Sequence, residues 1–249
     1  MSSDKKKYVF ILCPPFQGST LIYRLIASSS NVSSFLGKAT YMGEGAGFIV
    51  ENLNKKERGN YIKKRWEKKH KLNFNLISDV YHKKWDLSKD ILCEKSPPYI
   101  IRAKEIYEHF SKKGDVYFII QIRDPYTTNY GKIGLGEDGV LGLKKEEISY
   151  KLWDVFAKEQ KENIEKFKYN SVLITYEELC DDIKGTTNKI IEKMPFLKGI
   201  KPDIITNAKG IGRLGGLKKV TSLKNKEEKT KYFKKNSELL EYFGYKIIN

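Results

Sequence analysis

Apolar residues along the chain fall into short unbroken blocks, separated by longer stretches of helical periodicity. Residues 8–13 (Tyr-Val-Phe-Ile-Leu-Cys) read as a buried strand that Pro14-Pro15 stops, and 91–93, 116–122 and 171–174 read as further strands. Residues 1–7 are polar and predicted to fray. After the first strand, 14–19 form a turn and 20–29 a helix through Leu21, Leu25 and Ile26. Residues 28–34 read as a polar loop and 37–47 as Gly-rich and irregular. Helices are predicted at 48–70, 74–85, 98–110, 144–168, 176–193 and 226–243. The stretch 123–130 is predicted to turn into a helix, and 195–225 to be mostly irregular. Five glycines between 131 and 142 predict a mobile loop or lid over 131–143.

Apolar strands that alternate with helices predict an α/β fold with a central parallel sheet covered on both faces. With no repeat, heptad array or linker, the 249 residues read as a single domain, 1–249. Ligands in such sheets bind where strands end at their carboxyl edge. That directs attention to the turns after Cys13, Cys93, Ile122 and Ile174.

Composition narrows the class. Hydrophobic content of 40% with 31% charged residues excludes a wholly disordered or fibrous chain. The longest apolar run has six residues, too few for a membrane span or a secretory core. Three widely spaced cysteines, Cys13, Cys93 and Cys180, without a CxxC pair, point to a reducing compartment and a cytoplasmic protein with inert thiols. The net charge of +16 is local. Residues 55–71 hold nine cations against two acids, and 209–235 hold ten against two. Only six cations are arginines: Arg24, Arg58, Arg65, Arg102, Arg123 and Arg213. Their planar fork suits phosphate, so each carries more information than a single lysine.

Three turns carry candidate chemistry. Pro14-Pro15-Phe16-Gln17-Gly18-Ser19-Thr20, between a strand and a helix, presents free main-chain N–H groups and two hydroxyls to an anion. The Walker pattern GxxxxGK[ST] is absent, which argues against an ATPase or GTPase. Cys93-Glu94-Lys95-Ser96-Pro97 brings a lysine to the same edge. Ile122-Arg123-Asp124-Pro125 ends the most apolar strand with an arginine that either pairs with an acid or holds an anion. The three histidines, His70, His82 and His109, are scattered and form no metal-ligand cluster.

In this order, P-x-x-G-[ST]-T, E-K-[ST]-P, R-[DN]-P and then I-x-Y-E-x-L at 174–179 resemble the sulfotransferases that use 3′-phosphoadenosine-5′-phosphosulfate (PAPS). The C-terminal G-R-L-G-G-L-K-K and F-G-Y resemble that family's last segment, and Gly43-Glu44 resembles the Gly-Glu of its tyrosylprotein and bacterial branch. The resemblance runs from about Tyr8 to Ile247. It implies the P-loop-like sulfotransferase fold, PAPS as sulfuryl donor with 3′,5′-ADP as product, and no metal. Pro15, Phe16, Gln17, Gly18, Ser19 and Thr20 would wrap the 5′-phosphosulfate. Arg123 would bind the 3′-phosphate, Tyr176 would lie near the nucleotide, and Arg213 and Lys218 would close over it. Lys95 would meet charge on the sulfuryl group. Glu44 would be the general base on an acceptor hydroxyl, with Glu94 and Asp79 in reserve, since Ser96-Pro97 stands where the cytosolic branch has a histidine. Phe16 occupies the family's basic loop position, so the implied cation is Lys95, then Arg24 or Lys38. Gly131 stands where the family has a serine on the 3′-phosphate, and Leu217 replaces the tail tryptophan.

Two other classes stay open. One is a member that binds nucleotide or glycan without turnover. The other is a polyanion or nucleic-acid binder drawn by the basic segments, although no nucleic-acid fingerprint appears. The expected acceptor carries a hydroxyl, and the cations at 55–71 would suit an acidic one.

Overall fold

A computed structural model describes residues 5–38, 43–128, 148–203 and 226–248. Five strands form one sheet in the order β2-β3-β1-β4-β5. They are β1 (Lys7–Leu12), β2 (Val32–Ser33), β3 (Ile91–Glu94), β4 (Asp115–Ile122) and β5 (Ser171–Thr175), and every pairing is parallel. The helices are α1 (Ser19–Ala27), α2 (Gly45–Glu51), α3 (Lys55–Lys64), α4 (Phe74–Lys84), α5 (Ala103–Phe110), α6 (Ile148–Lys166), α7 (Tyr176–Asp181), α8 (Ile183–Lys193), α9 (Lys226–Phe233) and α10 (Glu238–Tyr242).

The unbroken apolar runs follow from burial on both faces. In β1, Tyr8, Phe10 and Leu12 enter one core with Leu92, Phe118 and Ile120, beneath α2, α4 and α5. Val9, Ile11 and Cys13 enter the opposite core with Cys93, Ile119 and Ile174, beneath α1, α7 and α8. A third cluster, around Trp153, Phe156 and Phe233, joins α6 to α9 and α10. The four longer strands lie where the periodicity predicts them.

Several predicted elements change. The helix predicted at 48–70 is two, α2 and α3, separated at Asn52–Asn54. Asn54 accepts from the Glu57 N–H (3.0 Å) while the Glu57 carboxylate accepts from the Asn54 N–H (3.0 Å), a capping box that starts a new helix. The prediction at 176–193 breaks at Asp182, whose carboxylate accepts from the Gly185 N–H (2.8 Å) and opens α8. The closing helix predicted at 226–243 is α9 and α10. The predicted helix at 98–110 begins as a 3-10 turn, Pro97–Ile101, before α5. Residues 125–127 form a turn rather than a helix. The polar stretch 28–34 holds the edge strand β2, because Val32 and Ser33 pair with Ile91 and Leu92. The fraying predicted for 1–7 does not hold at Lys6, whose ammonium donates to the Leu87 and Lys89 carbonyls (both 2.9 Å), or at Lys7, which opens β1, and residues 1–4 lie outside the described residues. The lid predicted at 131–143 lies outside the described residues, as do Gly131, Arg213, Leu217 and Lys218.

Phe10 is 1% exposed and packs against Tyr99, Phe110 and Phe118 at ring-centroid distances of 6.2, 5.0 and 6.4 Å. Phe10→Ala should lower unfolding stability by about 3–5 kcal/mol, read by urea denaturation.

Candidate active site at the carboxyl edge of the sheet

The site begins where β1 runs out. Gly18 adopts a left-handed conformation (φ +88°) as the N-cap of α1, and a Cβ there would collide with the Tyr176 ring. Beyond it, the first turn of α1 leaves N–H groups that no helical carbonyl reaches. Phe16 also has positive φ (+60°), unusual for a residue with a side chain, and its ring is 49% exposed. The loop is fastened from behind. Gln121, fully buried in β4, donates its amide to the Gln17 carbonyl. Gln160 of α6 donates to the Leu12 (2.7 Å) and Gln121 (3.0 Å) carbonyls, tying together the ends of β1 and β4. The Ser19 N–H and hydroxyl face the Cys13 sulfur, so that hydroxyl is turned at least partly inward. Burial pushes the Cys13 thiol up to about 12.

Arg123 leaves the end of β4. It is 8% exposed, its Nε donates to Thr127 Oγ1 (2.8 Å), and its guanidinium carbon lies 4.4 Å from the centre of the Tyr176 ring. Tyr176 thus fills the space between Gly18 and Arg123. The expected alternative, an ion pair with Asp124 or another acid, is not made among the described residues. Asp124 instead accepts from the Tyr126 N–H (2.7 Å), while its own N–H donates to Glu177 (3.1 Å).

Lys95 follows β3. It is 1% exposed, and its ammonium donates to Glu44 Oε1 at 3.0 Å. The charges of Lys95 and Arg123 both act on the Cys13 thiol, which places them at one end of the sheet with the loop. Glu44 is the N-cap residue of α2, and its side chain keeps 15% of its surface exposed. The structure therefore brings Glu44 and Lys95 together, as it does the loop, Tyr176 and Arg123.

The reserve residues separate. Glu94 is fully buried. Its Oε1 accepts from the Ser96 hydroxyl (2.6 Å) and the Gly45 N–H (2.8 Å), while Ser96 Oγ accepts from the Ala46 N–H (3.3 Å). Glu94 thus fixes the start of α2, and with it Glu44. Asp79 is exposed on α4. Among the cations expected to stand in for Phe16, Arg24 is exposed in the last turn of α1, and Lys38 donates to the Lys84 carbonyl (3.5 Å). That leaves Lys95 at the edge. Two other arginines are structural. Arg58 donates to the Leu53 carbonyl (2.8 Å), and buried Arg102 pairs with Glu105 (2.7 Å) and holds the Glu67 and Lys68 carbonyls. Gln121, Gln160 and the bracing role of Glu94 escaped the sequence reading. A lone polar residue in an apolar strand or on a buried helix face is the signal that finds the two glutamines.

No protein-family model matches the sequence, and no curated protein does. Solved structures match nearly its whole length. The sulfotransferase domain of the Synechococcus PCC 7002 olefin synthase shares 16% identity at a TM-score of 0.53, over 98% of this chain and 97% of that one. The sulfotransferase domain from the curacin biosynthetic pathway shares 15% at 0.53, over 99% and 100%. A sulfotransferase from Alicyclobacillus acidocaldarius shares 14% at 0.52, over 98% and 96%. All three cysteines are free thiols, no helix among the described residues is long and apolar enough to cross a membrane, and no cluster of three metal-ligating side chains occurs among them.

Burial pushes the Glu94 carboxyl up to about 8 from the usual 4.5. In that interval the folded chain keeps a proton that the unfolded chain releases, so stability falls as pH rises from about 4.5 to 8. Glu94→Gln keeps an acceptor for Ser96 and Gly45 and should flatten the slope, a difference on the order of a few kcal/mol. Urea unfolding at intervals from pH 5 to 8 measures it; identical slopes would mean that Glu94 is not the buried acid responsible. The chain has the sulfotransferase fold.

Proposed function

We propose that the protein is a PAPS-dependent sulfotransferase that moves a sulfuryl group to an acceptor hydroxyl. The observation that carries this reading is Arg123. Its guanidinium is oriented by Thr127 and lies over the Tyr176 ring beside the Gly18 turn, and no carboxylate forms an ion pair with it among the described residues. A nearly buried cation at the end of a parallel strand suits a fixed anion, and the 3′-phosphate is what separates PAPS from ordinary adenine nucleotides.

The residues fit such a nucleotide. The loop from Pro15 to Thr20, with the N-terminus of α1, would hold the 5′-phosphosulfate through main-chain N–H groups. Arg123 would hold the 3′-phosphate, and Tyr176 would wall the cleft. When bound, PAPS supplies the sulfuryl group that passes in line to the acceptor oxygen and leaves 3′,5′-ADP. Glu44 would take the proton from the acceptor hydroxyl, its carboxylate held by the start of α2 and by Lys95. Lys95, buried and charged, brings positive potential where negative charge collects, so most of the rate comes from placement and electrostatics. Arg213 and Lys218 are proposed on resemblance alone.

Phe16 favours a second reading, a member that binds the nucleotide without turnover. An exposed phenyl stands where the resemblance expects a cation, and losing one transition-state donor costs about 3–4 kcal/mol. Release of 3′,5′-ADP from PAPS in the presence of an acceptor panel refutes that reading.

Calorimetric titration should show 3′,5′-ADP binding more tightly than 5′-AMP. Arg123→Ala should weaken 3′,5′-ADP by about tenfold or more and leave 5′-AMP nearly unchanged, as expected for a lost charge-assisted hydrogen bond. Equal weakening of both ligands removes Arg123 from the 3′-phosphate. Glu44→Gln should lower turnover by about 10²–10⁴ without changing 3′,5′-ADP affinity. A variant that turns over at the wild-type rate shows that the base lies elsewhere.

A further inference from the structure

Lys229 of α9 belongs to none of the sequence motifs, yet it is 3% exposed. Its ammonium donates to three main-chain carbonyls of one turn, Pro125 O at 2.8 Å, Thr128 O at 3.0 Å and Tyr126 O at 3.5 Å. All its protons are engaged and no carboxylate pairs with it among the described residues. This turn carries the Arg123 clamp, since Thr127, between two of the gripped carbonyls, accepts from Arg123 Nε. The neighbouring Thr230 hydroxyl, which donates to the Ile248 carbonyl (2.8 Å), lies 3.3 Å from the Tyr126 hydroxyl, and the Trp153 indole donates to the Arg123 carbonyl (2.7 Å). A buried ammonium is a costly way to hold a turn if stability alone is served, because desolvation must be offset by those three carbonyls.

Among the described residues, the charged groups around it are few. Asp124 and Arg123 lie on the turn itself. Glu177 of α7 accepts from the Asp124 N–H (3.1 Å) and from the Tyr245 hydroxyl (2.8 Å), and Asp154 of α6 is occupied by Tyr232. Asp124 is the acid whose charge Lys229 feels, and burial lowers the ammonium to about 8.

We propose that Lys229 is a positioning residue for nucleotide discrimination, gripping residues 125–128 so that Thr127 holds Arg123 toward a 3′-phosphate. This rests on the reading of Arg123 given above. The chain of contacts runs from α9 through Lys229 to the turn, to Thr127, and to the guanidinium. A neutral amine has two protons for three carbonyls, so the grip loosens as Lys229 deprotonates.

The test compares 3′,5′-ADP with 5′-AMP by calorimetry on the full chain. Lys229→Met fills the same space without charge. It should lower the preference for 3′,5′-ADP by about tenfold while 5′-AMP affinity stays within about threefold, in a variant that still unfolds cooperatively. In the wild type the preference should decline between about pH 7 and 9.5, where both ligands keep their phosphate charges, and in Lys229→Met it should be flat over that range. A variant that weakens both ligands alike, or retains the full preference, overturns the role of Lys229. Should Lys229→Met fail to fold, a wild-type preference constant across that pH range overturns it equally. A wild type that binds neither nucleotide overturns the reading of Arg123 first, and the role of Lys229 with it.

Discussion

A parallel sheet buried on both faces can meet a ligand only at its edges, and at the carboxyl edge each strand ends with its carbonyls toward the turns. Those carbonyls must be satisfied without closing the edge. Here the task falls to a few buried amides. Gln160 ties the Leu12 carbonyl to that of Gln121, and the Gln121 side chain in turn ties the Gln17 carbonyl. Because β1 and β4 end in this lattice, the loop at Phe16–Gly18 and the turn at Arg123 keep a fixed relation to each other. Every proposed role at the edge depends on that relation.

The two charged centres use burial differently. Lys95 and Glu44 form a close pair in which the acid keeps part of its surface exposed and the cation almost none. The pair holds the acid in place and keeps the cation from facing an apolar wall alone. Among the described residues, Arg123 has an aromatic face and a hydroxyl as its near partners instead of a carboxylate. Glu94, fully buried, serves the first centre from behind, through Gly45 and Ser96.

The four longer strands were legible because burial on both faces makes them unbroken apolar runs, and the turns that follow them were legible because proline, glycine and charge break those runs abruptly. The helices were less so. Periodicity ran straight through Asn54 and Asp182, where a side chain accepting a main-chain N–H starts a new helix in a new direction. β2 was hidden because two residues at an edge carry too little pattern, and it exists through its pairing with β3. The candidate site divides the same way. Gly18, Lys95 and Arg123 announce themselves by their place after a strand. Gln121, Gln160 and Lys229 act on main-chain carbonyls distant in sequence, a relation that only folding reveals.

Cys13 lies directly beneath the loop, with Ser19 over its sulfur and a thiol that burial keeps protonated far above neutral pH. While α1 stays seated, an alkylating reagent finds neither a path to it nor a thiolate. With the half-buried Cys180 replaced, the pace at which Cys13 becomes labelled measures how often the loop lifts from the sheet. The site carries its own reporter of opening, in a side chain that needs no part in binding.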